Sequence, residues 1–144
     1  MRQTIFILSG PNLNLLGTRE PQIYGTATLA DIEDKCRAKA AELGFDILFR
    51  QSNHEGDLID WLHEAHTDHA KAVLLNAGAY THTSIALHDA IKAIDVPVIE
   101  VHLSDPLTRE PFRHLSYIAM AAADGVKGHG PRSYVIALER AAAL

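Results

Sequence analysis

Four short apolar runs recur along the chain, at residues 5–8, 45–49, 72–75 and 96–101. They are too short for ordinary helices and nearly continuous rather than strictly alternating, which predicts strands covered on both faces, as in a parallel sheet between helical layers. Helical patterns lie between them. Leu29, Ile32, Cys36, Ala40 and Leu43 recur at three- and four-residue steps, with Thr28 placed to cap the helix and Gly44 to stop it. Leu58, Leu62 and Ala65 form a second stripe. Leu87, Ala90, Ile91 and Ile94 form a third, ended by Pro97, and Val135, Leu138 and Ala142 form a fourth. A fifth short strand is placed around Val126. The alternation predicts an α/β fold, a flavodoxin-like doubly wound parallel five-stranded sheet in a single domain over residues 1–144.

In such folds ligands bind beyond the carboxyl ends of the strands. The residues there are polar: Ser9-Gly10-Pro11-Asn12 after the first run, Gln51-Ser52-Asn53 after the second, Asn76-Ala77-Gly78 after the third and Glu100-Val101-His102-Leu103-Ser104 at the fourth. A crevice rich in uncharged donors and acceptors fits a small hydroxylated ligand. Residues 17–25 have no apolar period, carry Arg19 and Tyr24 and are bracketed by glycines, which reads as a lid or as an ordinary surface loop. Arg109-Glu110-Pro111-Phe112-Arg113-His114 reads either as a solvated turn with an Arg–Glu pair or as cations placed for an anionic substrate.

Composition narrows the function. With 144 residues, 47% of them hydrophobic, the chain can bury a core without a disulfide or metal. One cysteine, Cys36, cannot form an internal disulfide, so nothing argues for an oxidising compartment. A net charge of −5 with 13 scattered basic residues argues against nucleic acid. The apolar run at residues 5–8 is too short for a signal-peptide core or a membrane span, so the expected location is cytoplasmic and no membrane partner is expected. Nucleotide readings fail because neither G-x-G-x-x-G nor a P-loop follows the first strand, and Gly125, Gly128 and Gly130 come late at the wrong spacing. Phospho-acceptor chemistry needs acids where Ser9 and Asn76 stand. Of nine histidines, His63, His66 and His69 fall three apart on one helix, a poor spacing for a shared metal, so a solvated helix face is expected there. His82 and His102 differ, since both fall in the expected crevice, where an imidazole can act as acid or hydrogen-bonding clamp. No cofactor and no metal are expected.

Six motifs then carry a resemblance. Gly10-Pro11-Asn12-Leu13-Asn14, Arg19-Glu20-Pro21 with Tyr24-Gly25, Gln51-Ser52-Asn53, Gly78-Ala79-Tyr80-Thr81-His82-Thr83-Ser84, Glu100-Val101-His102-Leu103-Ser104 and Arg109-Glu110-Pro111-Phe112-Arg113-His114 together resemble type II 3-dehydroquinate dehydratase, in order over nearly the whole chain. The resemblance implies reversible dehydration of 3-dehydroquinate to 3-dehydroshikimate through an enolate. It implies Tyr24 as the base at C2, Arg19 as its electrostatic partner, Asn12 holding a water at the enolate oxygen, and His102 as the acid, oriented by Glu100 or Asn76. A phenol with pKa about 10 lies roughly 3 units above neutrality, and a guanidinium about 4 Å away supplies on the order of 4 kcal/mol at an effective dielectric of 20. By the same resemblance Ser104 and the backbone amide of Leu103 cradle the substrate carboxylate, and Asn76, His82 and Arg113 clamp the ring hydroxyls. Asp89 is the residue that a neighbouring subunit would contribute, in a homo-oligomer built from trimers into a dodecamer.

The chain departs from the family pattern at Ser9, Ala77, Asp105, Lys127 and Arg132-Ser133. Asp105 directly follows the carboxylate-binding Ser104, where it would either face the ligand or bond its own turn; the turn is the favoured reading. The competing function is a non-catalytic module that binds a polyol or carboxylate in the same crevice. Arg19, Tyr24 and His102 count against it, because binding alone requires no base and acid.

Overall fold

The computed structural model describes residues 2–144 except Arg19, and of Tyr24 the backbone only. Five strands, β1 (Thr4–Ser9), β2 (Asp46–Gln51), β3 (Ala72–Asn76), β4 (Val98–Val101) and β5 (Asp124–Val126), form one parallel sheet in the order β2-β1-β3-β4-β5. The helices are α1 (Pro21–Tyr24), α2 (Leu29–Leu43), α3 (Glu55–Thr67), α4 (Ile85–Ala93) and α5 (Arg132–Ala142). This is the doubly wound, flavodoxin-like arrangement that the sequence predicts.

Side-chain alternation along β1 divides the core in two. Ile5 and Ile7 pack with Ile32, Cys36 and Ala40 of α2 and with Tyr134, Leu138 and Ala141 of α5. Phe6 and Leu8 face the other way, onto Leu58 and Leu62 of α3 and Leu87 and Ile91 of α4. β1 is the hinge of the topology, because β2 lies on one side of it and β3 on the other, with Ser9 aligned to both Gln51 and Asn76. The chain leaves this switch point in two directions and so opens a crevice above the strand ends.

Several boundaries differ from the sequence expectation, each for a local reason. The run at 45–49 begins one residue early, because the Phe45 N–H donates to Ala40 O and belongs to the end of α2, where Gly44 stands at φ 83. The run at 96–101 becomes a strand only at Val98. Pro97 has no N–H to donate, although its carbonyl still accepts from Val73 N. β2 is only half covered along its length, since it is the sheet edge. Ile94 lies just past α4, in extended backbone. On α5 the expected stripe of Val135, Leu138 and Ala142 is rotated. The buried face is Tyr134, Ala137, Leu138 and Ala141, because Tyr134 is drawn inward by hydrogen bonds to the strand ends. Thr28 caps α2 as expected, in a reciprocal pair with Asp31. Within the segment read as a lid or surface loop, residues 21–24 form the single turn of α1, which Pro21 opens.

Candidate active site

The crevice floor is built from the ends of β1 and β3. A Cβ at Gly10 would meet Ala77 O at 2.6 Å, so the two loops touch and only glycine fits there. Below them Tyr134 is fully buried, and burial pushes its hydroxyl up to about 12. It accepts from Asn76 Nδ2 at 3.1 Å and shares a hydrogen bond with Ser9 Oγ, 2.9 Å away. Asn76 Oδ1 accepts from Gly78 N at 3.2 Å. The Asn76 carboxamide is thus fixed from two sides before any ligand arrives.

One cleft, partly open to solvent, brings together Asn12, Asn76, His82, His102, Leu103, Ser104 and Arg113. They come from three strand ends: Asn12 follows β1, Asn76 and His82 lie at and after the end of β3, and His102, Leu103, Ser104 and Arg113 follow β4. His102 Nε2 lies 2.8 Å from Glu100 Oε2, so the carboxylate accepts that N–H and leaves Nδ1 as the imidazole's other nitrogen. Of the two orienting partners that the sequence left open, Glu100 is the one bonded to the ring. Ser116 Oγ donates to the same carboxylate oxygen at 2.5 Å. Burial alone would push the Glu100 carboxyl up, but the bond and charge of His102, the Ser116 hydroxyl and the Lys127 ammonium together hold it below the usual carboxylate value. It is ionised at neutral pH.

His82 donates through Nδ1 to Leu115 O at 2.8 Å. Burial lowers its pKa, with the charges of His102 and Arg113 acting in the same sense, against the Leu115 bond and Glu100. A neutral ring with Nδ1–H committed has Nε2 as an acceptor for a hydroxyl. Arg113 is held by Glu110 at 3.0 Å. Arg109 Nη1 donates to Ser104 Oγ at 3.3 Å, so that hydroxyl's own hydrogen is turned elsewhere. Both arginines line the cleft, with the Glu110 carboxylate 3.8 Å from Arg109 and 3.0 Å from Arg113.

Not every expected residue arrives. Arg19 and the side chain of Tyr24 lie outside the described residues; the Tyr24 backbone ends α1. Asp89 is exposed on α4 and does not line this chain's own cleft. Asp105 is turned into its own loop, where Oδ1 accepts from Leu107 N at 3.0 Å and faces Lys127 Nζ at 3.8 Å. His63, His66 and His69 are exposed on and after α3. Two residues outside the expected set bear on the site. Arg109 had a signal in its cationic motif, whereas Ser116 reaches Glu100 from 16 residues away with no local pattern to announce it.

Fold and cleft together define an α/β enzyme with its site at the switch point of a flavodoxin-like sheet. The model of the family described as Dehydroquinase class II matches residues 3–142, and the chain belongs to that family. It is 62% identical over 138 residues to a 3-dehydroquinate dehydratase of Rhizobium etli, covering 96% of this chain and 94% of the relative. It is 60% identical over 141 residues to one from Maricaulis maris, covering 98% and 96%. A solved type II dehydroquinase from Propionibacterium acnes superposes with a TM-score of 0.95 at 39% identity, covering 100% of this chain and 99% of the other.

Proposed function

We propose that this chain, as a 3-dehydroquinate dehydratase, eliminates water by an anti path through an enolate, with Tyr24 as base and His102 as acid. The observation that carries the reading is His102, bonded to the Glu100 carboxylate and lining one cleft with Asn12, Ser104 and Arg113. The carboxylate accepts the Nε2–H, so the proton that His102 gives to the departing hydroxyl is carried on Nδ1. Arg19 stabilises the Tyr24 phenolate, and Asn12 holds the water that hydrogen-bonds the enolate oxygen. Ser104 and the Leu103 amide bind the substrate carboxylate. The Arg109 bond to Ser104 Oγ supports this, because it sets a cation and a hydroxyl together in the cleft. Asn76, His82 and Arg113 hold the ring hydroxyls. No step requires a metal or a cofactor.

The same reading extends to assembly. Ile85, Leu107, Phe112, Leu115 and Met120 are exposed apolar side chains, and the 115–117 segment is joined to α4 through His88 Nδ1 and Tyr117 O at 2.8 Å. Exposed Ile85, one turn from Asp89 on α4, supports a trimer in which this aspartate reaches a neighbour's cleft, four such trimers making the dodecamer. Among the described residues no helix is long and apolar enough to cross a membrane. The proposed location is cytoplasmic, in keeping with a single, buried, unpaired Cys36.

The test is ultraviolet absorbance of the conjugated enone. Wild-type protein generates it from 3-dehydroquinate, and His102→Ala lowers kcat by about 10² to 10⁴. A His102→Ala enzyme with undiminished kcat would remove the assigned acid.

A further inference from the structure

We propose that Asn53 is a positioning residue that fixes the direction in which Asn12 presents its carboxamide to the cleft; this rests on the role given to Asn12 above. Asn12 stands at φ 70, ψ −5, in the left-handed region, which asparagine tolerates better than most residues with a Cβ. Its side chain makes no capping bond to the turn that follows, so the carboxamide is not committed to its own loop.

The constraint comes from the neighbouring strand end. The Asn12 N–H donates to Asn53 Oδ1 at 3.0 Å, across 41 residues of sequence. The same oxygen accepts from Gln51 Nε2 at 3.2 Å, and Gln51 Nε2 also donates to Gly10 O at 3.1 Å. The backbone carbonyl of Asn53 in turn accepts from the Tyr80 hydroxyl at 3.0 Å. One residue therefore ties together the loops after β1, β2 and β3. On the opposite side the Asn12 loop has no room to retreat, since Gly10 and Ala77 are already in contact. The Asn12 carbonyl accepts from Leu15 N at 3.0 Å within its own turn, so the bond to Asn53 is the one that ties its backbone to another strand end.

Only the Oδ1 acceptor of Asn53 enters these side-chain bonds, which separates positioning from bulk structure. Asn53→Asp keeps an acceptor for both donors and is expected to retain kcat within about threefold. Asn53→Ala removes it, and a misplacement near 1 Å costs on the order of 10²-fold, so kcat should fall about 10- to 100-fold with KM changed less than about threefold. Asn53→Ser, whose hydroxyl is too short to reach Asn12, should lose as much and serves if the alanine variant fails to fold. In an Asn12→Ala background, Asn53→Ala should cost less than about a further twofold, because its effect passes through Asn12.

Losses that multiply in the double variant would overturn the proposal, as would wild-type kcat in folded Asn53→Ala or Asn53→Ser. An Asp variant as impaired as the Ala variant would do the same. If Asn12→Ala itself keeps full kcat, the role of Asn12 fails and the proposal falls with it. Loss in Asn12→Ala with none at Asn53 overturns the positioning alone.

Discussion

At the scale of single residues, the chemistry proposed here divides between a base and its tuner, an acid and its carboxylate, and a neutral cradle. Tyr24→Phe should lower kcat by orders of magnitude while KM changes little, because the hydroxyl is needed in the transition state. Arg19→Ala should also move the rise of kcat to higher pH, since the phenol loses the cation that favours its ionised form. An unchanged pH profile in steady-state kinetics would remove that tuning role. Asp105 makes a second test. Its Oδ1 already accepts from Leu107 N, and an asparagine Oδ1 can do the same, so Asp105→Asn should change KM less than threefold, or about 0.7 kcal/mol. A tenfold fall in KM that shrinks with added salt would show a carboxylate facing the ligand. Most of the cleft residues were legible in the sequence, because polar side chains directly after apolar runs have one place to go in this fold. What was not legible were bonds between distant segments: Ser116 to Glu100, Arg109 to Ser104 and Tyr134 to Asn76 depend on folding, and no short-range period encodes them.

At the scale of elements, the sequence patterns located every strand and the four long helices, and failed at edges and on one face. Strand edges moved where a backbone group was already in use or missing, at Phe45 and Pro97. The α5 face was misread because an apolar count favours Val135 over Tyr134. The tyrosine goes inside because Ser9 and Asn76 satisfy its hydroxyl. Tyr134→Phe should therefore leave Asn76 Nδ2 and Ser9 without that partner and destabilise the fold by about 1–3 kcal/mol, measured by chemical denaturation. An equally stable Phe variant would mean that the strand ends do not depend on this bond. The Thr28 cap is legible from sequence alone because capping is local: the residue and its Asp31 partner are three apart.

At the scale of the whole molecule, one histidine and one carboxylate, His82 and Glu100, contribute to the response to acid. His82 titrates below its ordinary 6.5 in the folded state, so the unfolded chain binds its proton first and stability falls as pH drops below about 6.5. Glu100 titrates below 4.5 when folded, so its contribution is present above about pH 4.5 and is lost as pH falls through its folded value. The two act in the same direction in successive windows. Melting temperature should decline on acidification from pH 7, and His82→Gln should flatten the upper part of that decline; an unaltered slope would contradict the His82 assignment. Assembly is testable by subunit exchange. Mixing Tyr24→Phe with Asp89→Ala should restore activity through sites that inherit neither defect, whereas strictly additive activity after verified mixing would take Asp89 out of the neighbour's site. The central claim, a base and an acid that act in separate steps through an enolate, is tested most directly by solvent deuterium incorporation at C2 of 3-dehydroquinate, followed by NMR in D2O. In His102→Ala, deuterium should enter recovered substrate while little dehydroshikimate forms. In Tyr24→Phe neither should occur. Exchange in Tyr24→Phe at the rate seen in His102→Ala would contradict the assignment of the base and with it the account of the site.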